Sequence, residues 1–575
     1  MLRKLWKIGS VNFVELHKFT LIPLILGLTS ALAVAVMVRS YYLFNLIFSM
    51  ATNFSFYLII CLPGIGLLIS LIINRFFTEN KEGGCGTDLM VETYHHKNGI
   101  IGMRDVLFKT LSSTITLGLG GSGGLEGPSL LLGGGVSSWI LQKLKIKPKD
   151  LKLLYLCGAA AGFTALFKAP LTGILLALEI PYKKDIERDA FIPAALSSLS
   201  SYILTVLLFG GENVFFSNLN VFVPTYLFWH AIFLGIAISF VAILFIKTLE
   251  KTKEIVKTAN YKINIWLTFL LGGLFLGLIG YFYPQVLGVG YDVIRMASDP
   301  SISKAAVETL FALLLFKIIA TSLTLALGGN VGLFIPSLYV GGVFGLLYAN
   351  IFGLNPANVY AIIAMGAIVA AVSKSLMTGI VFVAETVGAG PIMFIVLSAS
   401  ISYFLTGDLS FYPSQLKKRS SSKVEALMEL EDVLKQSKNL MENINLTSIK
   451  LNKPICFTED TRVLDALKVL KAHVYRIYPL INKQNQVIGV VDIESIFAVG
   501  KEKWDIQLSK LETKKPFLLP KDKNLKEVTE LMLKENEDHV FIVNNIEERV
   551  IEGVLTASDI IKISAEKILP KFIDV

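Results

Sequence analysis

Gly120-Gly121-Ser122-Gly123-Gly124-Leu125-Glu126-Gly127-Pro128-Ser129-Leu130 places one carboxylate inside a glycine-rich turn, between segments too apolar for water. Burying a charge at membrane depth is costly, so an ionisable residue there is a functional candidate by default. The glycines let backbone amides crowd together. A helix starting near Pro128 aims its positive end at the same point. The stretch reads as an anion site with an acid standing where the anion should go.

The same pattern returns further along the chain. Residues 120–134 read GGSGGLEGPSLLLGG and residues 328–342 read GGNVGLFIPSLYVGG, with nine of fifteen positions identical at an offset of 208. Glu126 falls opposite Phe334. A second match sets Lys168–Ile174 and Glu179 against Lys374–Ile380 and Glu385, at an offset of 206. Two collinear matches divide the body into halves of about 75–215 and 285–410, and transporters built from such repeats carry their ion path where the halves meet.

Composition sets the class. The chain has 575 residues, a mean hydropathy of +0.61 and 53% hydrophobic residues, which points to a membrane protein crossing the bilayer several times. Apolar runs recur from 20–38 to 376–406. Several fall short of the ~20 residues a spanning helix needs, and glycines break others, as in discontinuous helices that end at a mid-membrane site. The runs are continuous rather than alternating, which excludes a porin-like barrel. Residues 413–575 hold 26 basic and 25 acidic groups and so read as a soluble tail; residues 1–412 hold the other 28 and 20. The net +9 therefore lies mostly in the membrane part, which fits basic cytoplasmic loops rather than nucleic-acid binding. The basic N-terminus Met1–Lys7 lacks a convincing cleavage site, so no removed signal peptide is expected. Cys61, Cys85, Cys157 and Cys456 have no framework spacing, and neither a metal set nor a nucleophile–base constellation stands out, so an enzyme is not expected.

These motifs resemble the CLC family of chloride channels and chloride/proton antiporters, over essentially the whole chain. The family carries three anion-site sequences and a late tyrosine, matched in order by Gly84-Cys85-Gly86-Thr87-Asp88, Gly124-Leu125-Glu126-Gly127-Pro128, Gly332-Leu333-Phe334-Ile335-Pro336 and Tyr412. The resemblance implies an α-helical polytopic membrane fold with an inverted internal repeat and broken helices. It implies Glu126 as gate and proton carrier, and an anion bound at Cys85, Gly86, Gly124, Gly127, Leu333, Phe334, Ile335 and Tyr412. The partners implied are the lipid bilayer, chloride, protons and a second copy in a homodimer. Departures are present too. Cys85 stands where a serine is frequent, Asp88 replaces a proline and Leu125 a basic residue. Ile180 stands where antiporters have a second, inner glutamate.

Other residues carry weaker expectations. Lys168 and Lys374, at equivalent repeat positions, either make a vestibule electropositive or snorkel to the interface. Glu179 is expected to pair or cap at a helix end, and His95-His96 to be a solvated loop pair.

Beyond the body (1–413), residues 414–447 read as a charged linker. Two units of strands and helices, 448–500 and 508–565, resemble a tandem CBS pair, a cytoplasmic α/β module that often binds ATP, ADP or AMP. Thr556 and Asp559 fit its Thr/Ser-x-x-Asp nucleotide motif, whereas Asp492–Ser495 in the first unit does not. No cofactor or metal is required. The expectation is a multi-pass protein with cytoplasmic N-terminus and tail, carrying chloride past Glu126 as a channel or with weak proton coupling. A chloride/proton antiporter using another proton route, and a nucleotide or ion sensor without flux, stay open.

Overall fold

A computed structural model describes residues 13–211, 215, 227–262, 264–299, 306–388, 390–419, 444–470, 475, 477–497, 499, 504–511, 513, 515–535 and 537–567. The basic stretch Met1–Lys7 and most of the charged linker lie outside them. The chain forms two compact units, Met1–Arg419 and Ser420–Val575.

The first unit is helical throughout. Its first half contains α1 (Phe13–Phe54), α2 (Leu58–Phe77), α3 (Gly86–His96), α4 (Met103–Gly118), α5 (Glu126–Lys143), α6 (Pro148–Phe167), α7 (Pro170–Glu179) and α8 (Phe191–Phe209). The second half contains α9 (Leu227–Lys262), α10 (Ile265–Phe282), α11 (Tyr291–Ser298), α12 (Val307–Ala326), α13 (Phe334–Ile351), α14 (Ala357–Ser373), α15 (Leu376–Thr386) and α16 (Ile392–Leu405). Eight helices among the described residues are long and apolar enough to cross a bilayer, whereas α7, at ten residues, is too short. This is a multi-pass membrane protein.

Burial is inverted relative to a soluble domain. Outer helices expose large apolar side chains such as Leu32, Phe240 and Phe275, which suit lipid. Every residue of α14 is buried, and the helix is apolar on all sides, as an element enclosed by others must be. Small residues hold the interior together. A Cβ on Gly133 of α5 would collide with the Gly158 carbonyl of α6, so the glycine lets those two backbones touch.

Each half has a broken helix at an equivalent place. Lys168 and Lys374 end α6 and α14 in the left-handed conformation (φ 54° and 55°), and α7 and α15 restart within three residues. The last segment of the unit is tied back to residues 182–189. Lys183 N donates to Leu416 O at 2.8 Å, and Arg419 pairs with Glu187 at 2.9 Å and with Asp189 at 2.6 Å. Those ties fix the segment that carries Tyr412.

The second unit holds two copies of one motif. β1 (Phe457–Thr458) runs parallel to β2 (Ile477–Ile481), which pairs antiparallel with β3 (Val487–Asp492); α17 (Val463–Leu470) lies between β1 and β2. β4 (Leu518–Pro520), α18 (Leu525–Glu535), β5 (His539–Val543) and β6 (Ile551–Thr556) repeat the order, and α19 (Ala557–Lys567) follows. The register shifts between Leu480 and Ile481 in one copy and between Ile542 and Val543 in the other, the same place in each motif.

Candidate functional site

Four chain segments meet at Glu126. Gly124 and Gly332 pair as an antiparallel bridge: Gly124 N donates to Gly332 O at 3.0 Å and Gly332 N to Gly124 O at 2.8 Å. Helices α5 and α13 start two residues beyond, at Glu126 and Phe334, so their positive ends converge. Helix α3 adds a third start. A Cβ on Gly86 would lie 3.0 Å from Pro128 N, in contact with the backbone of Gly127. The fourth segment brings Tyr412, which is 1% exposed and within electrostatic reach of both Cys85 and Glu126.

Glu126 is 1% exposed, and its Oε1 accepts the Phe334 N–H at 2.6 Å. Its Oε2 is buried with no hydrogen-bond partner among the described residues. Glycines make room for the carboxylate, because a Cβ on Gly124 would collide with Oε2 and one on Gly332 with Oε1. Chemically, the junction offers amide donors and positive helix ends to an anion, and a carboxylate now occupies it.

The Phe334 ring packs against Phe163 at 5.4 Å and Phe382 at 4.9 Å, closing one side of the junction with aromatic surface. Thus Cys85, Gly86, Gly124, Glu126, Gly127, Leu333, Phe334, Ile335 and Tyr412 are gathered at one place, from four segments. Leu333 sits at the N-cap of α13, and Ile335 is its second residue.

Lys317 on α12 was not singled out from the sequence. It is 0% exposed, and its Nζ donates to Val286 O and Gly288 O, both at 3.1 Å. The same carbonyls accept from the turn before Glu126: Val286 O from Ser122 Oγ at 2.9 Å, and Gly288 O from Gly123 N at 3.3 Å. A lone lysine in an apolar run is itself a signal, but the sequence does not say which carbonyls it clasps.

The remaining residues singled out from the sequence also have defined places; Glu179 caps a helix end as expected, and only the loop expected at His95-His96 needs correction. Lys168 and Lys374 both have local partners. Each donates to the end of a helix, Lys168 Nζ to Phe209 O at 3.4 Å and Lys374 Nζ to Tyr403 O at 3.0 Å and Thr406 Oγ1 at 2.6 Å. A cation at a helix C-terminus is favoured by the dipole, which explains the choice. Glu179 caps a helix of the other half: its carboxylate accepts from Met377 N at 2.9 Å, Thr378 N at 2.8 Å and Thr378 Oγ1 at 2.7 Å. His95 and His96 end α3 rather than forming a loop. His95 is half-buried, and its Nε2 shares a hydrogen bond with Pro181 O at 2.7 Å.

The tail unit has its own cleft of about 480 Å³, between the two motifs. Tyr475, Ile477, Pro479 and Phe541 supply apolar walls, and Lys453, Thr556 and Asp559 supply polar ones. Asp559 Oδ2 accepts from Thr556 N at 2.9 Å and Thr556 Oγ1 at 2.7 Å, capping α19, and Oδ1 accepts from Asn452 Nδ2 at 3.2 Å. A flat base between apolar walls, with a cation and a carboxylate nearby, fits the lining.

Comparison with known proteins decides the family. Residues 65–407 match the family model described as voltage gated chloride channel, which is more than half of the chain. The chain belongs to this CLC family. Residues 447–502 and 508–566 match the CBS domain. An uncharacterized protein of Methanocaldococcus jannaschii is 26% identical, over 60% of this chain and 85% of its own. The H+/Cl− exchange transporter ClcA of Klebsiella pneumoniae subsp. pneumoniae is 27% identical, over 55% and 68%.

Among solved structures, a CLC-type fluoride/proton antiporter superposes with a TM-score of 0.62 at 22% identity, covering 72% of this chain and all of its own. A eukaryotic CLC transporter superposes with a TM-score of 0.60 at 16% identity, covering 95% and 99%. The CLC body is thus an anion-transport fold, and the tail is a CBS pair.

Proposed function

We infer that this CLC protein moves chloride across a membrane past Glu126, which acts as its gate. One observation carries the inference: a buried carboxylate takes the Phe334 amide, at the meeting point of helix N-termini, where an anion would sit. An ionised Glu126 competes with chloride for that amide. Protonation removes the competition and frees the position. Backbone amides at Gly86, Gly127, Leu333 and Ile335, with the Cys85 thiol and the Tyr412 phenol, would then hold a partly dehydrated chloride. With no cationic side chain bonded directly to the ion, because Lys317 is held by the Val286 and Gly288 carbonyls, binding stays weak enough for release. Chloride efflux from proteoliposomes tests the inference; a protein that passes no anion contradicts it and favours a sensor.

Proton exchange is the second reading. Relatives called H+/Cl− exchangers and neighbours called antiporters support it. Ile180 gives no inner acid, so exchange would need a different one.

The tail would bind an adenine nucleotide between the apolar walls of its cleft, with Asp559 taking the ribose hydroxyls once it releases its present partners. We place the functional divisions at 1–413, 414–447, 448–500 and 508–565, with N-terminus and tail in the cytoplasm and two copies forming a homodimer. Cysteine accessibility from each side and the mass of the detergent-solubilised protein test those assignments.

A further inference from the structure

We propose that Asp88 is the second proton-handling group of the anion path, exchanging protons with Glu126 through water across the Cys85–Tyr412 junction. Asp88 lies in the first turn of α3, three residues past Cys85, and lines a cavity of about 220 Å³ that also reaches Cys85, Lys109, Lys253, Asn330 and Phe411. It is half-buried, and its Oδ1 accepts the Ser414 N–H at 3.0 Å, two residues past Tyr412. Asp88 therefore adjoins both sides of the junction, its carboxylate bonded to the Tyr412 segment and its backbone in the same helix turn as Cys85. The Cys85 thiol and the Tyr412 phenol each feel Asp88 and Glu126 electrostatically. One buried oxygen without a hydrogen-bond partner among the described residues, Glu126 Oε2, leaves polar capacity at this junction that water would satisfy.

Other acids nearby are committed. Glu179 spends its carboxylate on Met377 and Thr378. Glu187 is held by Tyr94, Tyr182 and Arg419, and Asp105 accepts from Glu79 N at 2.6 Å. Of the other acids lining the cavity, Glu82 is exposed, and Glu92 pairs with Lys97 at 3.0 Å. The charges facing Asp88 are Lys253 from α9, Lys109 from α4, Glu92 from its own helix and Glu82 from the preceding loop. Ile180 carries no titratable group.

The step balances simply. Protonated Glu126 gives its proton to water in the path, and that water's chain delivers one to the Asp88 carboxylate. Glu126 is left ionised and Asp88 neutral, and Asp88 then releases the proton to the cavity. An aspartate in a first turn also suits the helix dipole, so the test must separate titration from capping. The role rests on Glu126 being the titrating gate.

The test uses the full-length protein in liposomes with chloride and pH electrodes recording together. Asp88→Asn keeps an oxygen for the Ser414 amide but cannot titrate. Chloride efflux should persist while protons moved per chloride fall about tenfold or more, the scale of a lost acid–base group. Asp88→Glu should restore proton movement with a shifted pH profile. Proton coupling retained in Asp88→Asn, or no better in Asp88→Glu, overturns the proposal. If Asp88→Asn does not fold, Asp88→Glu carries the test alone, and an unchanged pH profile overturns it. A wild type that passes chloride without protons overturns the role of Asp88 but leaves chloride transport standing, whereas no chloride flux removes both.

Discussion

Gly124 and Gly332, repeat counterparts 208 positions apart, each donate the backbone amide to the other's carbonyl. When equivalent residues exchange equivalent bonds, a two-fold axis relating the halves passes between them. Glu126 and Phe334 stand two residues beyond this pairing, and only one of the two counterparts is an acid. Glu126 crosses to the amide of its own counterpart, Phe334.

Gly124→Ala should lower thermal stability, because its new Cβ falls on the Glu126 carboxylate. Overpacking of this kind costs about 1–3 kcal/mol. Adding Glu126→Ala should recover much of the loss, since the colliding group is then gone. Melting curves of the two single variants and the double variant check this; strictly additive losses would contradict it.

The short helices of the two halves are tied reciprocally. Glu179 caps α15, and Glu385 accepts from Leu171 N at 3.0 Å, Thr172 N at 2.9 Å and Thr172 Oγ1 at 2.6 Å at the start of α7. Hydrogen bonds to a charged group contribute about 1.5–3 kcal/mol each. Glu179→Ala and Glu385→Ala should both lower the melting temperature clearly, while Lys251→Ala on exposed helix surface should not. A neutral result at either glutamate would show that the cap is dispensable.

Lys317→Met removes the ammonium clasp from the Val286 and Gly288 carbonyls. Both carbonyls keep their bonds from Ser122 and Gly123, so the loss is that of the lysine's own hydrogen bonds, about 1.5–3 kcal/mol each. Reduced stability and slower chloride efflux are expected, with Lys317→Arg intermediate. Wild-type efflux and melting in Lys317→Met would remove the lysine from the account.

In the tail, Asp559→Ala should abolish calorimetric binding of ATP, ADP and AMP by the full-length protein and loosen α19, since a lost helix cap costs about 1 kcal/mol. Tyr475→Ala should weaken binding without affecting that cap. Equal nucleotide binding by all three proteins would rule out the cleft as the site.

Much of this was legible in the sequence. The offset of 208 exposed two halves, and the glycine clusters marked where helices break. Contact between the counterparts was not legible, because similarity of two segments does not say that they touch. The offset of 206 already set Glu179 against Glu385, yet each caps the helix on which the other stands. The partners of Lys168 and Lys374 were hidden for a related reason. A lysine beside a break is compatible with a vestibule, and only the packed structure brings the ends of α8 and α16 within its reach. Lys317 and the carbonyls of residues 286–288 are joined by tertiary packing alone.

The central claim is that Glu126 gates chloride by its charge. Chloride efflux from proteoliposomes, measured across pH for wild type and Glu126→Gln, tests it most directly. The wild type should speed up as pH falls and the carboxylate becomes neutral, whereas Glu126→Gln should pass chloride at a rate that hardly changes with pH. An equally steep pH dependence in Glu126→Gln, or no pH dependence in the wild type, would contradict the account.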